Sequence, residues 1–278
     1  MYLKRIFIII IMFAISACDR SEEMPIRKLS VGIVSYGGSE ESLQQYNDFK
    51  KYLEAQQNSL IELEPAYNEV RALQQIYTNK WDLVFAPPGL AAIAVYQHNY
   101  EPLMSLEGGD KTRSVLVTER DSPAENLRDL SGQTIALGQK GSATGYYLPI
   151  YNLYGLNFEK VVYVPTPKDV LQQLQNGEVT VGALSLAEYN LFKREFPPNQ
   201  FKVVYLDKHN VPAGAILISD RLERNQEEQI RKALKDAPSF ISATAGYLPT
   251  EELPDYTQLT EVIQRVQEVL EESPMVLQ

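Results

Sequence analysis

Residues 134–149 read Thr134-Ile135-Ala136-Leu137-Gly138-Gln139-Lys140-Gly141-Ser142-Ala143-Thr144-Gly145-Tyr146-Tyr147-Leu148-Pro149. A short apolar strand gives way at Gly138 to a loop of small polar residues, and the pattern from residue 145 to 154 predicts a helix. Strand, polar loop and helix in this order form one unit of an α/β fold. The start of a helix exposes unpaired amide N–H groups and about half a positive charge. Ser142 and Thr144 add hydroxyls beside those amides, so Ser142, Thr144, Gly145 and Tyr146 can cradle a compact oxyanion without an arginine. Lys140 stands at the rim. The same residues also suit a capped turn with no ligand, and spacing alone does not separate the two.

Two familiar chemistries fail on spacing. A phosphate-binding P-loop needs Lys-Ser/Thr directly after its last glycine, where this chain has Tyr146-Tyr147. A Gly-x-Ser-x-Gly nucleophile elbow would place its serine at position 143, which is Ala143.

Outward from this stretch the α/β pattern occurs twice. On the N-terminal side, residues 29–36 read as a strand, Leu43 to Leu53 and Val70 to Tyr77 as two helices, and residues 81–86 as a buried strand. On the C-terminal side, residues 161–164, 179–184 and 201–206 read as strands. Thr166-Pro167-Lys168-Asp169 and Ser185-Leu186-Ala187-Glu188 read as helix starts with capping residues. Residues 114–118 and 213–219 separate the halves and are expected to be two crossover strands forming a hinge. From Glu223 onward the pattern is helical.

Strand ends facing a crevice are where open α/β sheets hold ligands. Ser35 and Tyr36 close the first strand, Pro87 follows another, and Ser185 follows a strand of the second half. These four join the candidate contacts, although turn geometry or capping also accounts for each. Tyr146 is expected nearest the ligand, and Tyr151 and Tyr154 are expected to pack. His209 and Asn210 read as a solvated loop.

The chain opens with Lys4 and Arg5, an apolar run over residues 6–13, and small residues up to Cys18. The run is shorter than the roughly 20 residues that span a bilayer, and the layout is that of an export signal. Ile15-Ser16-Ala17-Cys18 resembles the lipobox of bacterial lipoproteins. The resemblance implies a signal peptide over residues 1–17, lipidation (diacylglycerol and an acyl chain such as palmitate) of Cys18, and a polar tether over residues 18–28. Cys18 is the single cysteine, so no internal disulfide is possible.

The net charge is −10. Lys4 and Arg5 belong to the leader, so the remainder carries 24 basic against 36 acidic side chains, a balance of −12. Such a surface repels nucleic acid. His98 and His209 are the only histidines, so zinc clusters and Cys-His catalysis lack parts. No metal or cofactor is expected, and no Ser-His or paired-carboxylate spacing supports a hydrolase.

Arg113-Ser114-Val115, Asp121-Ser122-Pro123, Leu127-Arg128-Asp129-Leu130-Ser131-Gly132 and Gly141-Ser142-Ala143-Thr144-Gly145-Tyr146-Tyr147-Leu148-Pro149 follow one another in that order. Together they resemble the phosphate/phosphonate/phosphite group of substrate-binding proteins serving ABC transporters. Weaker echoes at residues 31–36, 81–84 and 253–256 extend the likeness over most of the chain. It implies an α/β, two-lobed type II periplasmic binding protein fold: two mixed sheets flanked by helices and joined by a two-strand hinge. Lobe 1 is expected over residues 29–117 plus 214–278, and lobe 2 over 118–213. The implied function is extracytoplasmic capture of a small oxyanion in the interlobe cleft by a monomer that docks on a membrane permease. A ligand-sensing module on the same fold, or a transporter binding protein for a sulfonate or other organic ligand, are the alternatives. The chain departs from the family pattern at Ala143, which removes a donor. It departs also at Val181-Gly182-Ala183, which lacks an acid often seen there, and at Pro87-Pro88.

Overall fold

The computed structural model describes residues 27–36, 41–108, 112–250 and 252–272. The signal segment, Cys18 and the tether up to residue 26 lie outside these. Residues 27 and 28, expected in the tether, already belong to the first strand.

Eleven strands form two mixed sheets among the described residues. The first contains β1 (Arg27–Val34), β2 (Ser59–Ala66), β3 (Leu83–Ala86), β4 (Tyr100–Leu106), β10 (Ala215–Ser219) and β11 (Tyr247–Leu248) in the order β11-β4-β10-β3-β1-β2. β1 runs parallel to β2 and β3, while β10 is antiparallel to β3 and β4. The second contains β5 (Ser114–Glu119), β6 (Thr134–Leu137), β7 (Lys160–Tyr163), β8 (Val181–Ser185) and β9 (Phe201–Leu206) in the order β7-β6-β8-β5-β9. Here β6 is parallel to β7 and β8, and β5 is antiparallel to β8 and β9.

The expected crossover strands need correction. Residues 114–118 lie whole in the second sheet as β5, so the expected lobe boundary at 117 cuts through a strand. Residues 215–219 lie whole in the first sheet as β10. Residues 207–214 connect β9 to β10, and the described residues 107, 108, 112 and 113 lie between β4 and β5. The crossings are bonded side by side: Val211 N donates to Thr112 O (3.1 Å), Leu106 N to Gly214 O (2.8 Å) and Asp207 N to Ser114 O (2.9 Å).

Helices cover both sheets. α1 (Glu41–Gln44) and α2 (Asn47–Gln57) precede β2, and α3 (Glu69–Tyr77) and α4 (Pro88–Gln97) flank β3. In the second sheet α5 (Leu148–Asn152) follows β6, α6 (Pro167–Gln175) follows β7 and α7 (Leu186–Phe192) follows β8. α8 (Arg224–Lys235), α9 (Ser239–Ala245) and α10 (Thr257–Glu272) end the described chain, and none is long and apolar enough to cross a membrane. Strand β2, helix α4 and strand β4 were not read from the sequence. β2 sits at the sheet edge with its middle residues only half-buried, and its apolar–polar alternation is only four residues long before Pro65. α4 is apolar all round, so it shows no amphipathic period. β4 carries Pro102 where its register with β10 shifts, and proline in a sheet is tolerated at such breaks.

α2, α8 and α9 bury one face of the first sheet through Phe49, Leu53, Ile230 and Ile241. α3 and α4 cover its other face, and α10 packs against α4, α5 and the segment after β6. One apolar cluster runs from Leu90 and Ile93 through Tyr147, Leu148 and Ile150 to Ile263 and Val266. The two halves are therefore packed against each other, with the segment after β6 at their junction.

Candidate ligand site

After Leu137 the chain leaves β6 and enters a π-turn at Ala143–Tyr147, continued by α5. The expected helix is thus shifted and locally widened. Tyr146 N and Tyr147 N both donate to the Ser142 carbonyl (3.2 and 3.1 Å), the mark of an i→i+5 turn. Ser142 caps it, its Oγ accepting from Gly145 N at 3.0 Å. The Gly145 amide is thereby satisfied inside the turn, and the amides of Ala143 and Thr144 remain as donors at its head. Gly138 N donates to Gly145 O (2.8 Å). A Cβ on Gly145 would stand 3.1 Å from Ser142 Oγ, so glycine serves the close packing of the turn. From β5 the buried Ser114 hydroxyl donates to Thr144 O at 2.7 Å, tying the turn to the second sheet.

The head of the turn faces the first lobe. A Cβ placed on Gly89, in the first turn of α4, would lie 2.2 Å from Gly141 O and 2.6 Å from Ala143 N. A gap of about 10 Å³ remains between the lobes, room for about one water. Glu69 of α3 lines it from one side; Ser142, Gly145, Thr166, Ala183 and Glu188 line it from the other. Glu69 is 4% exposed and its Oε1 accepts from the Tyr36 hydroxyl at 2.8 Å. Burial pushes its carboxyl up to about 7, against the Tyr36 hydrogen bond, which lowers it. The Tyr36 phenol is raised by burial and then by the charges of Glu69 and Glu188. Burial also raises Glu188, while its bonds to Ser185 lower it.

The expected contacts therefore divide. Ser142 and Gly145 line the gap and Tyr36 reaches it through Glu69; Thr144 is buried beside them without lining it, its carbonyl held by Ser114. Ser35 is half-buried, and its N–H donates to Ala66 O (2.9 Å). Pro87 is the N-cap of α4 and Pro88 its first residue, so they deliver Gly89 to the junction. Ser185 is buried as the N-cap of α7, exchanging bonds with Glu188 (3.0 and 2.8 Å); it is Glu188 that lines the gap. Tyr146 is not among the lining residues: its ring packs on Tyr147 and Tyr163 at 5.0 and 5.8 Å. Tyr151 and Tyr154, expected to pack, are exposed. Glu69 and Glu188 were missed by sequence reasoning, while Gly89 was expected with Pro87 and Pro88 on the wall opposite. Asn68-Glu69 reads locally as an ordinary helix start, and nothing in the chain order ties it to Ser142. At Gly182 of β8 a Cβ would meet Val170 Cγ1 at 2.5 Å, so that position has no room for a side chain.

A far larger cavity, about 730 Å³, lies beside the second crossing and the segment before α10, lined by His209, Val211, Leu253, Asp255 and Leu259 among others. It is open to solvent, whereas the small gap joins both lobes at the capped turn. The small gap is the better candidate.

The family described as the periplasmic substrate-binding protein of ABC phosphonate transporters matches residues 31–240. No curated protein sequence matches the chain. Among solved structures, a Xanthomonas citri protein solved with ATP superposes with a TM-score of 0.72 at 20% identity, covering 87% of this chain and 98% of that one. PhnD1 from Prochlorococcus marinus, solved with methylphosphonate, gives 0.68 at 16% identity over 90% and 99% of the two chains. The Escherichia coli periplasmic aliphatic sulphonate-binding protein SsuA gives 0.59 at 18% identity over 91% and 94%. These likenesses place the chain in the type II periplasmic binding protein fold.

Proposed function

Since this chain belongs to the family of periplasmic substrate-binding proteins of ABC phosphonate transporters, we propose that it captures a small oxyanion of the phosphate, phosphite or phosphonate class between its lobes. The family is a class of transport binding proteins, not of enzymes, and it works outside the cytoplasm. The observation that carries the ligand reading is the head of the π-turn: the Ala143 amide lies against Gly89 of the other lobe, and Ser142 lines the gap with Glu69. Amides held this way are donors whose orientation needs no reorganisation when an anion arrives. A gap with room for one water means that the lobes part to admit the guest and close over it. In this reading Cys18 carries the lipid that holds a monomeric protein at the membrane beside its permease.

A sulfonate is the second ligand class. Ala143 removes a hydroxyl from the cradle, and losing a donor to a buried charge costs about 1.5–3 kcal/mol, which leaves room for a guest with fewer demands. Calorimetry of the protein against phosphate, phosphite, methylphosphonate and methanesulfonate separates the two classes. Ser142→Ala combined with Thr144→Ala is expected to abolish binding, and unchanged affinity would refute the cradle. A sensing role on the same fold predicts the same binding without dependence of uptake on the protein.

A further inference from the structure

Glu69 stands in the first turn of α3, where the helix terminus favours a charged carboxylate, yet it is buried against the other lobe. A Cβ on Gly141 of the cradle loop would lie 2.8 Å from Glu69 Cβ, with Leu90 and Leu73 close by. From the end of β1 the Tyr36 hydroxyl reaches Oε1, and from α7 the Glu188 carboxyl lines the same gap. Among the described residues no lysine or arginine lines it. An anion brought into this gap beside Ser142 and Gly145 meets the Glu69 carboxyl in a space too small for bulk water. Two like charges so placed cannot both persist at low dielectric.

Resting on the oxyanion reading above, we infer that Glu69 enters the closed complex as a neutral carboxylic acid that donates to the bound oxyanion, so that capture above neutral pH takes up one proton from solvent. The proton adds to the Glu69 carboxylate and no bond to the guest is made or broken. Glu69 then replaces a repulsion by a hydrogen bond and serves the site as a donor, the role an arginine fills elsewhere. Its carboxyl is already raised by burial to about 7, so little further change protonates it when the anion arrives. By linkage, a proton bound with the ligand makes affinity fall about tenfold for each pH unit above the titration of the free site.

The test is calorimetry of methylphosphonate binding in pairs of buffers with different ionisation enthalpies, from about pH 5.5 to about 8.5, with wild type and Glu69→Gln. The free ligand's titration is common to both proteins, and the phosphorus NMR shift of bound methylphosphonate shows where the extra proton sits: a protonated guest facing a charged Glu69 overturns the inference. Wild type is expected to take up about one proton more than Glu69→Gln at the alkaline end, with no difference at the acid end. The affinity ratio should move in favour of the variant by about tenfold per unit above pH 7. Parallel profiles with equal proton counts would overturn the inference while leaving the oxyanion reading intact. So would tight wild-type binding without proton uptake that Glu69→Gln abolishes, because the residue would then act as a charged carboxylate. If wild type binds none of the four anions named above, the oxyanion reading fails and this inference with it. Tyr36→Phe gives a second check that leaves Glu69 in place: it removes the bond that favours the carboxylate, so the fall in affinity should shift to higher pH. An unshifted or downward-shifted profile counts against the assignment.

Discussion

The hydroxyl of Ser114, the first residue of β5, donates to the carbonyl of Thr144 in the cradle at 2.7 Å, and both residues are buried. The bond joins the end of one interlobe crossing to the turn that carries the donors. Ser114→Ala leaves the Thr144 carbonyl unpaired away from water, at a cost of about 1–3 kcal/mol. Urea unfolding should show that loss, and calorimetry should show weaker ligand binding than a surface serine replacement gives.

Gly89 sets how closely the lobes meet. Its missing side chain admits Gly141 O and Ala143 N, to which a Cβ would come within 2.2 and 2.6 Å. Those neighbours are backbone atoms and cannot swing aside, so Gly89→Ala should wedge the lobes apart. Small-angle scattering is expected to give a larger radius of gyration than wild type, and affinity for the anion should fall at least about tenfold because closure no longer buries it. An unchanged radius with unchanged affinity would mean that the contact is not part of closure.

The strand–loop–helix unit at residues 134–149 was legible because its features are local: a short apolar run, small polar residues and Ser142 as cap. The capping boxes at Thr166 and Ser185 were legible for the same reason, and both are present. The two-sheet division followed from the repeated pattern, but the crossings were placed a few residues late, since β5 and β10 are as apolar as any core strand. What stayed hidden depends on contacts distant in the chain. Glu69 has the composition of an ordinary first-turn acid, and its burial comes from the other lobe. Tyr146 sits next to the donors in sequence, yet the π-turn sends its ring toward Tyr163.

Glu69 also predicts how stability depends on pH. Its carboxyl ionises near 4.5 when free and near 7 in the folded protein. Between those values the folded state holds more protons than the unfolded one, so stability falls as pH rises through that window. The contribution amounts to about 3 kcal/mol at most. Chemical unfolding from about pH 5 to about 8 should show this decline in wild type, and Glu69→Gln should flatten it. A variant that declines as steeply as wild type would show that another group carries the effect.

Asp207 begins the second crossing and is fully buried. Its Oδ1 accepts from His209 N at 2.8 Å, with His209 Nδ1 also at 2.8 Å, and its Oδ2 accepts from Asn152 Nδ2. Asn152 ends α5, the helix that continues the π-turn, so this carboxylate fastens the crossing to the element on which the proposed cradle is built. Asp207→Asn keeps the shape but turns one acceptor into a donor, which then faces either the Asn152 amide or the His209 N–H. Leaving such a buried group mismatched costs about 1–3 kcal/mol. Thermal unfolding should register the loss. Because the contact orients α5 rather than touching the guest, the affinity loss should be smaller than that of Ser142→Ala. A larger loss than Ser142→Ala would mean that the crossing itself reaches the ligand.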